Sequence, residues 1–215
     1  MWWLLRIDRK GKMEVVDVYR ELAMMSTPCP RSSSRTALLD AAQQMMTEGS
    51  VNGMTLDGVA AKAGVTKGGL IYHFKTKEAL LHALVDRMTD QVAEYCAGDR
   101  QTDPAAALEN FLIARIDYAF AIGPQQKAVM ANLLAAAATF PSLLAPVKRM
   151  YERGSGDLAQ VAGSAGLALS VWTALDGMVM LEMLNIRQFS ETERSQMREA
   201  MTLMVRRQFA ELRGK

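Results

Sequence analysis

The sequence predicts an all-α protein in which a helix-turn-helix segment precedes a larger helical region. Apolar residues recur at helical spacing from Leu38 onward, and Gly, Pro and capping residues interrupt the chain at intervals of one helix length. We find no strand-like alternation. With 215 residues, of which 50% are hydrophobic, the chain is long enough to bury a core.

Charge and cysteine content narrow the class of protein. The net charge is +2 and the pI about 8.6, so any nucleic-acid surface must be a local patch rather than the whole chain. Cys29 and Cys96 are too few for a disulfide framework. We therefore expect free thiols and a cytoplasmic protein.

The N-terminal segment differs from the rest of the chain. Its opening, MWWLLRIDRK, has an apolar run too short for a signal peptide or a membrane span. We expect residues 1–30 to be an extension, either poorly ordered or an upstream misannotation of a natural start at Met25. The most apolar segment, residues 159–184, carries Asp176 and Glu182, so we expect no membrane span.

Local signals define the helix-turn-helix. A first helix from Arg35 ends near Gly49, and Thr55 is positioned to cap a second. Gly64 suits the left-handed conformation of a turn, after which Val65 can fill the core between two helices. Thr66 can cap the third helix.

The third helix contains Gly68 and Gly69, which cost about 1 kcal/mol each relative to Ala inside a helix. The missing side chains would let this helix lie close against a duplex, with phosphate contacts from four residues around it. These are Lys67, Tyr72, His73 and Lys77. The alternatives are a Gly-Gly loop, aromatic core residues and a solvated lysine face. Thr76 caps the next, longer helix, whose first N–H groups would also face a phosphate.

The stretch GVTKGGLIYHFKTKEALL, residues 64–81, resembles the DNA-binding domain of TetR-family transcriptional regulators, and the match extends over residues 35–84. The resemblance implies a three-helix DNA-binding domain at residues 31–80, with Thr66 to His73 as recognition helix, and a helical effector-binding and dimerisation domain at residues 81–215. It also implies DNA contacts from Thr55, Thr66, Lys67, Gly68, Tyr72, His73 and Lys77. At Val65 and Gly69 some relatives have polar residues instead. We still count Gly69 among the candidate DNA-binding residues, because its backbone could approach the duplex closely. Arg31 and Arg35 form a basic arm that either enters a minor groove or is a solvated tail.

The larger region divides into further helices. We predict helices from Pro104 to the Gly-Pro pair at 123–124, from about Gln125 to Thr139, and from Ser142 to Glu152. After a Gly-Ser break at 154–156, a long helix runs from Asp157 to Leu184, and Glu191 to Leu212 forms the last one. These last two helices have more apolar surface than a monomer hides, and in TetR-like proteins they pair between subunits. We therefore predict a homodimer whose two recognition helices read a palindromic double-stranded DNA operator.

Polar residues within the apolar helices mark a candidate effector site. A charged group there must be paired or lie on a cavity wall. We predict that a pocket for a small-molecule effector is lined by Arg115, Asp117, Tyr118, Phe120, Met130, Trp172, Asp176 and Met180. Flexible methionines, of which the chain has sixteen, would suit varied ligands. The alternative is an ion pair between Asp176 and Arg115 in an aromatic core.

These features favour a ligand-responsive repressor that an effector releases from its operator. The chain lacks the GxGxxG, GxxxxGK, HExxH, CxxC and GxSxG motifs, so we do not expect an enzyme. We expect no cofactor and no metal, because neither His73 nor His82 has metal-site spacing with another ligand. The alternative function is a nucleic-acid-binding structural protein without a ligand switch.

Overall fold

The structure is a computed structural model that describes residues 3–7, 13–17, 34–97, 103–158 and 163–214. Nine α-helices make up most of this part of the chain, which confirms the all-α class. They are α1 (Ser34–Glu48), α2 (Leu56–Ala63), α3 (Lys67–His73), α4 (Lys77–Cys96), α5 (Pro104–Ala121), α6 (Pro124–Ala137), α7 (Ala145–Leu158), α8 (Ala165–Met183) and α9 (Glu191–Arg213). Short 3-10 turns at Val51–Gly53 and Pro141–Leu144 precede α2 and α7.

Two short strands precede the helices. β1 (Trp3–Ile7) pairs antiparallel with β2 (Met13–Asp17), so that Trp3 lies opposite Asp17 and Ile7 opposite Met13. This strand pair differs from the prediction of an all-helical chain, because five residues are too few to establish a period-2 pattern. The other residues of the segment 1–30, together with Arg31, lie outside the described part of the chain. The character of the extension therefore stays a prediction.

The predicted caps of the helix-turn-helix are confirmed. The hydroxyl oxygen of Thr55 accepts from the N–H of Gly58, and that of Thr66 accepts from the N–H of Gly69, both at 3.1 Å. Gly64 takes the left-handed conformation, with φ 65°. Each cap satisfies an N–H that a short helix would otherwise leave unpaired, so the local sequence alone stabilises these ends.

Helices α1–α3 and the start of α4, together called the head, share one apolar core with the larger region that follows. Buried residues of α1–α4 form one cluster with Val129 and Leu133 of α6 and with Leu143 of the second 3-10 turn. A second cluster joins α5, α8 and α9 around Ile116, Leu175 and Phe209. Because α4 and α6 contribute to the first cluster and continue into the larger region, the head is packed against the rest of the chain and not tethered by a flexible linker.

The boundary between α7 and α8 differs from the prediction. The long helix expected from Asp157 begins only at Ala165, and Gly154, expected in a break, lies within α7. The ring of Trp172 explains this glycine, since a Cβ there would lie 2.1 Å from the Cη2 atom of Trp172. Gly154 thus allows close packing of α7 on α8, a long-range contact that local helix propensity cannot reveal.

One helix of the described residues, α8, is long and apolar enough to cross a membrane, with a mean hydropathy of 1.3. It packs instead on α5, α6 and α9, and the second core contains Val171, Leu175 and Met178 from it. A core helix passes the same test of length and composition, so this feature is weak evidence for a membrane span.

A buried ionic cluster ties α6, α8 and α9 together. The carboxylate of Glu182 accepts from Lys127 Nζ and from Arg194 Nη1, each at 2.6 Å, and its side chain is only 2% exposed. Burial alone would raise the pKa of Glu182, but the hydrogen bonds from Arg194 and Lys127 outweigh it and lower that pKa. Of the two alternatives for a charged group in an apolar helix, a partner or a place on a cavity wall, Glu182 has partners.

Candidate DNA-binding surface and internal cavity

The outer face of α3 is open to solvent. Tyr72 is 83% exposed, the Lys67 side chain 71% and Ile71 39%, whereas Leu70 and Phe74 of the same segment are buried. Since Leu70 and Phe74 anchor the helix in the core, its other face is presented rigidly at the surface. A helix held in this way has the geometry required to enter a major groove.

Several of the predicted phosphate-binding side chains already have partners within the protein. Lys67 pairs with Asp57 at 3.0 Å, and His73 Nε2 lies 2.7 Å from the hydroxyl of Ser34. Lys77 Nζ donates to the carbonyl of Val51, and the guanidinium of Arg35 stacks over the ring of Phe74 at 5.5 Å.

These contacts give side chains that were predicted to bind DNA a further role within the protein. In this structure His73, Lys77 and Arg35 hold the head together, whereas Tyr72 projects into solvent with only an edge contact to the His73 ring. Arg35 lies on the body of the head and not on a free arm. The sequence could not show this, because the partners of His73 and Lys77 lie 39 and 26 residues away.

The two adjacent glycines serve different purposes. At Gly68 an added Cβ would meet no atom within 4 Å, so the fold does not require a glycine there. At Gly69 a Cβ would lie 2.9 Å from Val65 Cγ1, so this glycine is needed by the turn itself. The contact with Val65 thus gives Gly69 a structural reason besides any close approach to DNA, and the prediction that both bare positions face DNA stays a proposal.

We expect Gly68→Ala to stabilise the free protein by about 1 kcal/mol, because alanine is the better helix former. Gly69→Ala should not show this gain, because the clash with Val65 costs about 1–3 kcal/mol. Thermal unfolding of the two variants measures the difference, and DNA affinity separates the roles: the larger Gly68→Leu should bind DNA at least about tenfold more weakly while remaining folded. Unchanged affinity of Gly68→Leu would show that close backbone approach is not needed.

The larger region contains an internal cavity of about 270 Å³ between α4, α5, α6, α7 and α8. Its wall is mostly apolar and includes five methionines, Met88, Met130, Met150, Met180 and Met183. The polar lining residues are Thr89, Arg115, Tyr118, Gln126, Tyr151 and Asp176. A concave, mostly apolar space with few polar groups is the usual form of a small-molecule site.

The two charged residues of the wall neutralise each other. Arg115 Nη2 donates to Asp176 Oδ1 at 3.1 Å, and the hydroxyl of Tyr151 donates to the other carboxylate oxygen. Burial raises the pKa of the Asp176 carboxyl, although the hydrogen bond from Tyr151 and the charge of Arg115 oppose the shift. The ion pair proposed as an alternative to a pocket is thus present, and it forms part of the cavity wall.

A hydroxyl group forms a second polar point in the wall. Tyr118 accepts a hydrogen bond of 2.8 Å from Gln126, and its ring meets that of Tyr95 edge to face. Burial raises the pKa of Tyr118, so this hydroxyl is neutral at physiological pH. It keeps a hydrogen that a bound molecule could accept.

The structure places five of the eight predicted pocket residues at the cavity: Arg115, Tyr118, Met130, Asp176 and Met180. The other three lie outside its lining. Asp117 pairs with Arg198 of α9 at 2.7 Å, and Phe120 lies beneath the guanidinium of Arg194. Trp172 is buried in the second core, where it stacks on Tyr151 and so supports the wall from behind. Residues on one helix diverge by 100° per position, which separates Asp117 from Tyr118.

Sequence reasoning missed the contributions of α4 and α7. Residues of these two helices line the cavity, including Val85, Met88, Val147, Met150 and Tyr151. In the sequence their spacing looks like that of any amphipathic helix. The one available signal was the polar hydroxyl of Tyr151 on a helix that precedes the Trp172 segment. The sequence does not show that these two residues meet.

A single amide connects the cavity helix α6 to the head. Asn132 Nδ2 donates to the carbonyls of Met46 and Gly49 at 2.9 and 3.0 Å, and Asn132 Oδ1 accepts from the N–H of Val51 at 3.3 Å. The neighbouring Leu133 lines the cavity and also belongs to the core of the head. A displacement of α6 at the cavity would therefore reach the end of α1 directly.

Helices α8 and α9 carry large apolar side chains that the chain itself does not cover. Leu169 of α8 and Leu203 and Met204 of α9 are each about half exposed, at 50%, 47% and 49%. Ile186, in the turn between the two helices, is 68% exposed. Clusters of this kind commonly mark protein interfaces.

No group of three or more potential metal ligands occurs among the residues that the structure describes. His82 pairs with Asp86 at 2.9 Å, and Asp86 also accepts from Arg149, so this histidine belongs to a surface ion-pair network between α4 and α7. The expectation of a packed or surface histidine agrees with this placement.

Two family models match the chain. The model for bacterial regulatory proteins of the tetR family matches residues 38–84, and the tetracyclin repressor-like C-terminal domain model matches residues 109–206. The two matches cover the head with α1–α4 and most of α5–α9. Both halves of the chain thus point to the same family.

The chain is also similar to individual regulators in sequence and in structure. The chain is 29% identical to the HTH-type transcriptional repressor BepR of Brucella suis biovar 1 over 161 residues, or 70% of this chain and 76% of BepR. Among solved structures, GusR of Salmonella enterica superposes with TM-score 0.58 at 16% identity, covering 85% of this chain and 98% of GusR. The multidrug binding protein EbrR, complexed with imidazole, does so with TM-score 0.56 at 21% identity, covering 82% of this chain and 95% of EbrR. At these identities the two structures support the fold alone.

Proposed function

The chain belongs to the TetR family of transcriptional regulators, and from this premise we propose that it is a repressor that binds a palindromic operator as a homodimer and is released by a small-molecule effector. It is a DNA-binding regulator and not an enzyme. The observation that carries the proposal is the course of α4. Thr76 caps this helix beside the recognition helix α3, and Val85, Met88 and Thr89 of the same helix line the cavity.

Dimerisation supplies the second recognition helix. The half-exposed apolar residues of α8 and α9 would pair with the same surface of a second copy, which gives a symmetric, self-complementary interface. Two α3 helices would then lie about 34–36 Å apart and read successive major grooves. A single seven-residue helix contacts too few bases to select one site in a genome.

The proposed effector is a small and largely apolar molecule that carries no net charge. Arg115 and Asp176 already compensate each other, so the wall offers no unpaired charge, and Tyr118 offers a hydrogen-bond donor. The five methionines suit ligands of different shape. The solved structure of EbrR, whose description names multidrug binding and a bound imidazole, supports a ligand site in a protein of this fold.

In the proposed switch, the ligand displaces α4 and α6 and so changes the distance between the two heads. Asn132 joins α6 to the end of α1, and the shared core around Leu133 continues from cavity to head. A coupling free energy on the order of 1–3 kcal/mol would be sufficient for a strong effect on operator binding.

Selection of duplexes from a random library, followed by gel shifts at physiological salt, tests DNA recognition. We expect the protein to prefer palindromic sites strongly over scrambled ones. The Tyr72→Ala variant should bind all sequences more weakly by a similar factor, whereas Tyr95→Ala, which removes an exposed tyrosine far from α3, should bind as the wild type does.

The alternative function, a nucleic-acid-binding structural protein without a ligand switch, gives a different result in this experiment. Such a protein would bind palindromic and scrambled duplexes alike and lose most of its affinity as salt rises. A compound screen on the protein–operator complex then tests the switch, since only a ligand-responsive repressor is released by a molecule that fills the cavity.

A further inference from the structure

We propose that Ile71 reads the 5-methyl group of a thymine in each operator half-site and is thereby a specificity-determining residue of α3. This inference rests on the proposed function. Ile71 was not among the residues that the sequence pattern selected for DNA contact. In the structure Ile71 is an apolar side chain, 39% exposed, in the middle of a polar surface.

The position of Ile71 on α3 determines what it can reach. Ile71 lies four residues after Lys67 and three after Gly68, so these three positions share one face of the helix. Leu70, rotated about 100° from Ile71 around the helix axis, is buried. The open space above Gly68 lets the helix axis approach the bases, and a short branched side chain can then contact a base edge.

The polar groups around Ile71 have limited freedom to read bases. The ammonium of Lys67 is paired with Asp57, and the Thr66 hydroxyl oxygen accepts from the N–H of Gly69. Nothing on the bare Gly68 can donate a side-chain hydrogen bond. The methyl groups of Ile71 therefore form the centre of the surface that faces the groove.

The occupant of this surface follows from the chemistry of the major groove. The only apolar group that a base pair presents there is the 5-methyl group of thymine. Contact with an apolar side chain removes both surfaces from water, whereas cytosine at the same position would place an amino group against Ile71 and leave it without an acceptor.

The test uses duplexes selected with the wild-type protein. Each thymine of the half-site is replaced in turn by deoxyuridine, which keeps the base pair and removes only the methyl group. We expect affinity to fall about fourfold at one thymine position per half-site, and about 15-fold when both half-sites are changed. Replacement of the other thymines by deoxyuridine should change the affinity only slightly.

Protein variants assign the effect to Ile71. Ile71→Ala should bind the thymine and uridine duplexes with equal affinity, and Ile71→Val should keep part of the difference. Glu152→Ala, at an exposed position of α7, should keep the full wild-type sensitivity to uridine. Thermal unfolding of each variant confirms that a loss of binding does not reflect a loss of fold.

The outcomes separate this inference from the function on which it rests. If selected palindromes bind tightly but every uridine duplex binds as well as its thymine counterpart, Ile71 does not read a methyl group, and the repressor proposal stands. A uridine effect that persists unchanged in Ile71→Ala also overturns the assignment. If no duplex is preferred over random DNA, both proposals fail together.

Discussion

Replacing Glu182 by Gln is expected to lower the free energy of unfolding by about 3–5 kcal/mol, because it leaves two buried cations without a counter-charge. Lys127 and Arg194, which donate to this carboxylate, have side chains only 15% and 13% exposed. Glutamine keeps the size of the side chain but cannot compensate both charges. Urea unfolding at a fixed protomer concentration measures the effect and avoids a contribution from changed association.

The same carboxylate predicts how stability responds to acid. The pKa of Glu182 is lower in the folded chain than its ordinary value of 4.5, so ionisation of this group stabilises the fold at higher pH. This stabilisation is present above about pH 4.5 and is lost as the pH falls through the folded-state pKa. The wild type should therefore lose more stability than Glu182→Gln as the pH falls below about 4.5.

A matched control distinguishes burial from charge. Glu48 also pairs with a lysine, Lys62, at 2.8 Å, but its side chain is 57% exposed. Glu48→Gln should change stability far less than Glu182→Gln, because water solvates both exposed groups when the pair is broken. Equal losses in the two variants would contradict the role assigned to the buried cluster.

Replacing Asn132 by Ala is expected to destabilise the protein by about 2–4 kcal/mol and to loosen the head. The side-chain amide of Asn132 forms hydrogen bonds with the backbone of Met46, Gly49 and Val51. Without it, these partly buried backbone groups lose their partners. Hydrogen exchange at the amide of Val51, whose acceptor is removed, should accelerate more than exchange at buried amides of α8.

The isosteric variant makes the prediction sharper. Asn132→Asp keeps the oxygen that accepts from Val51 but places a carboxylate against the carbonyls of Met46 and Gly49. It should be at least as destabilising as Asn132→Ala, although it differs less in shape. Asn110→Ala, at an exposed position of α5, serves as the neutral control. If Asn132→Ala unfolds like the wild type, the link between α6 and the head is not this amide.

Much of the head could be predicted because its signals are local. Thr55, Thr66 and Thr76 each cap a helix within three residues of the N–H group that they accept from, and Gly64 takes its left-handed turn. The spacing of apolar residues identified the helices in the same way. Caps and periodicity depend on neighbours in sequence, so they can be read without a structure.

The contacts of the candidate sites were predictable only in part. Tyr72 was expected to be available to DNA and is exposed, whereas Lys77 and His73, for which DNA contacts were also predicted, contact Val51 and Ser34 in the free protein. A lysine in a DNA-binding motif looks the same in sequence whether its ammonium faces a phosphate or a carbonyl. The difference depends on a fold that brings distant segments together.

The amino-acid sequence by itself determined the all-α class, the helix-turn-helix with its caps, and the need for a partner at each buried charge. Helix periodicity and capping depend on residues a few positions apart, and the free energy of burying a charge depends on the chemistry of that residue. Only the tertiary structure decided which side chains meet. It placed Tyr151 rather than Trp172 in the cavity wall, gave Gly69 to the turn and Gly68 to the surface, and set Asn132 between the cavity helix and the head. Such contacts join residues far apart in the chain, and their energies depend on distances of a few ångströms that no local pattern encodes.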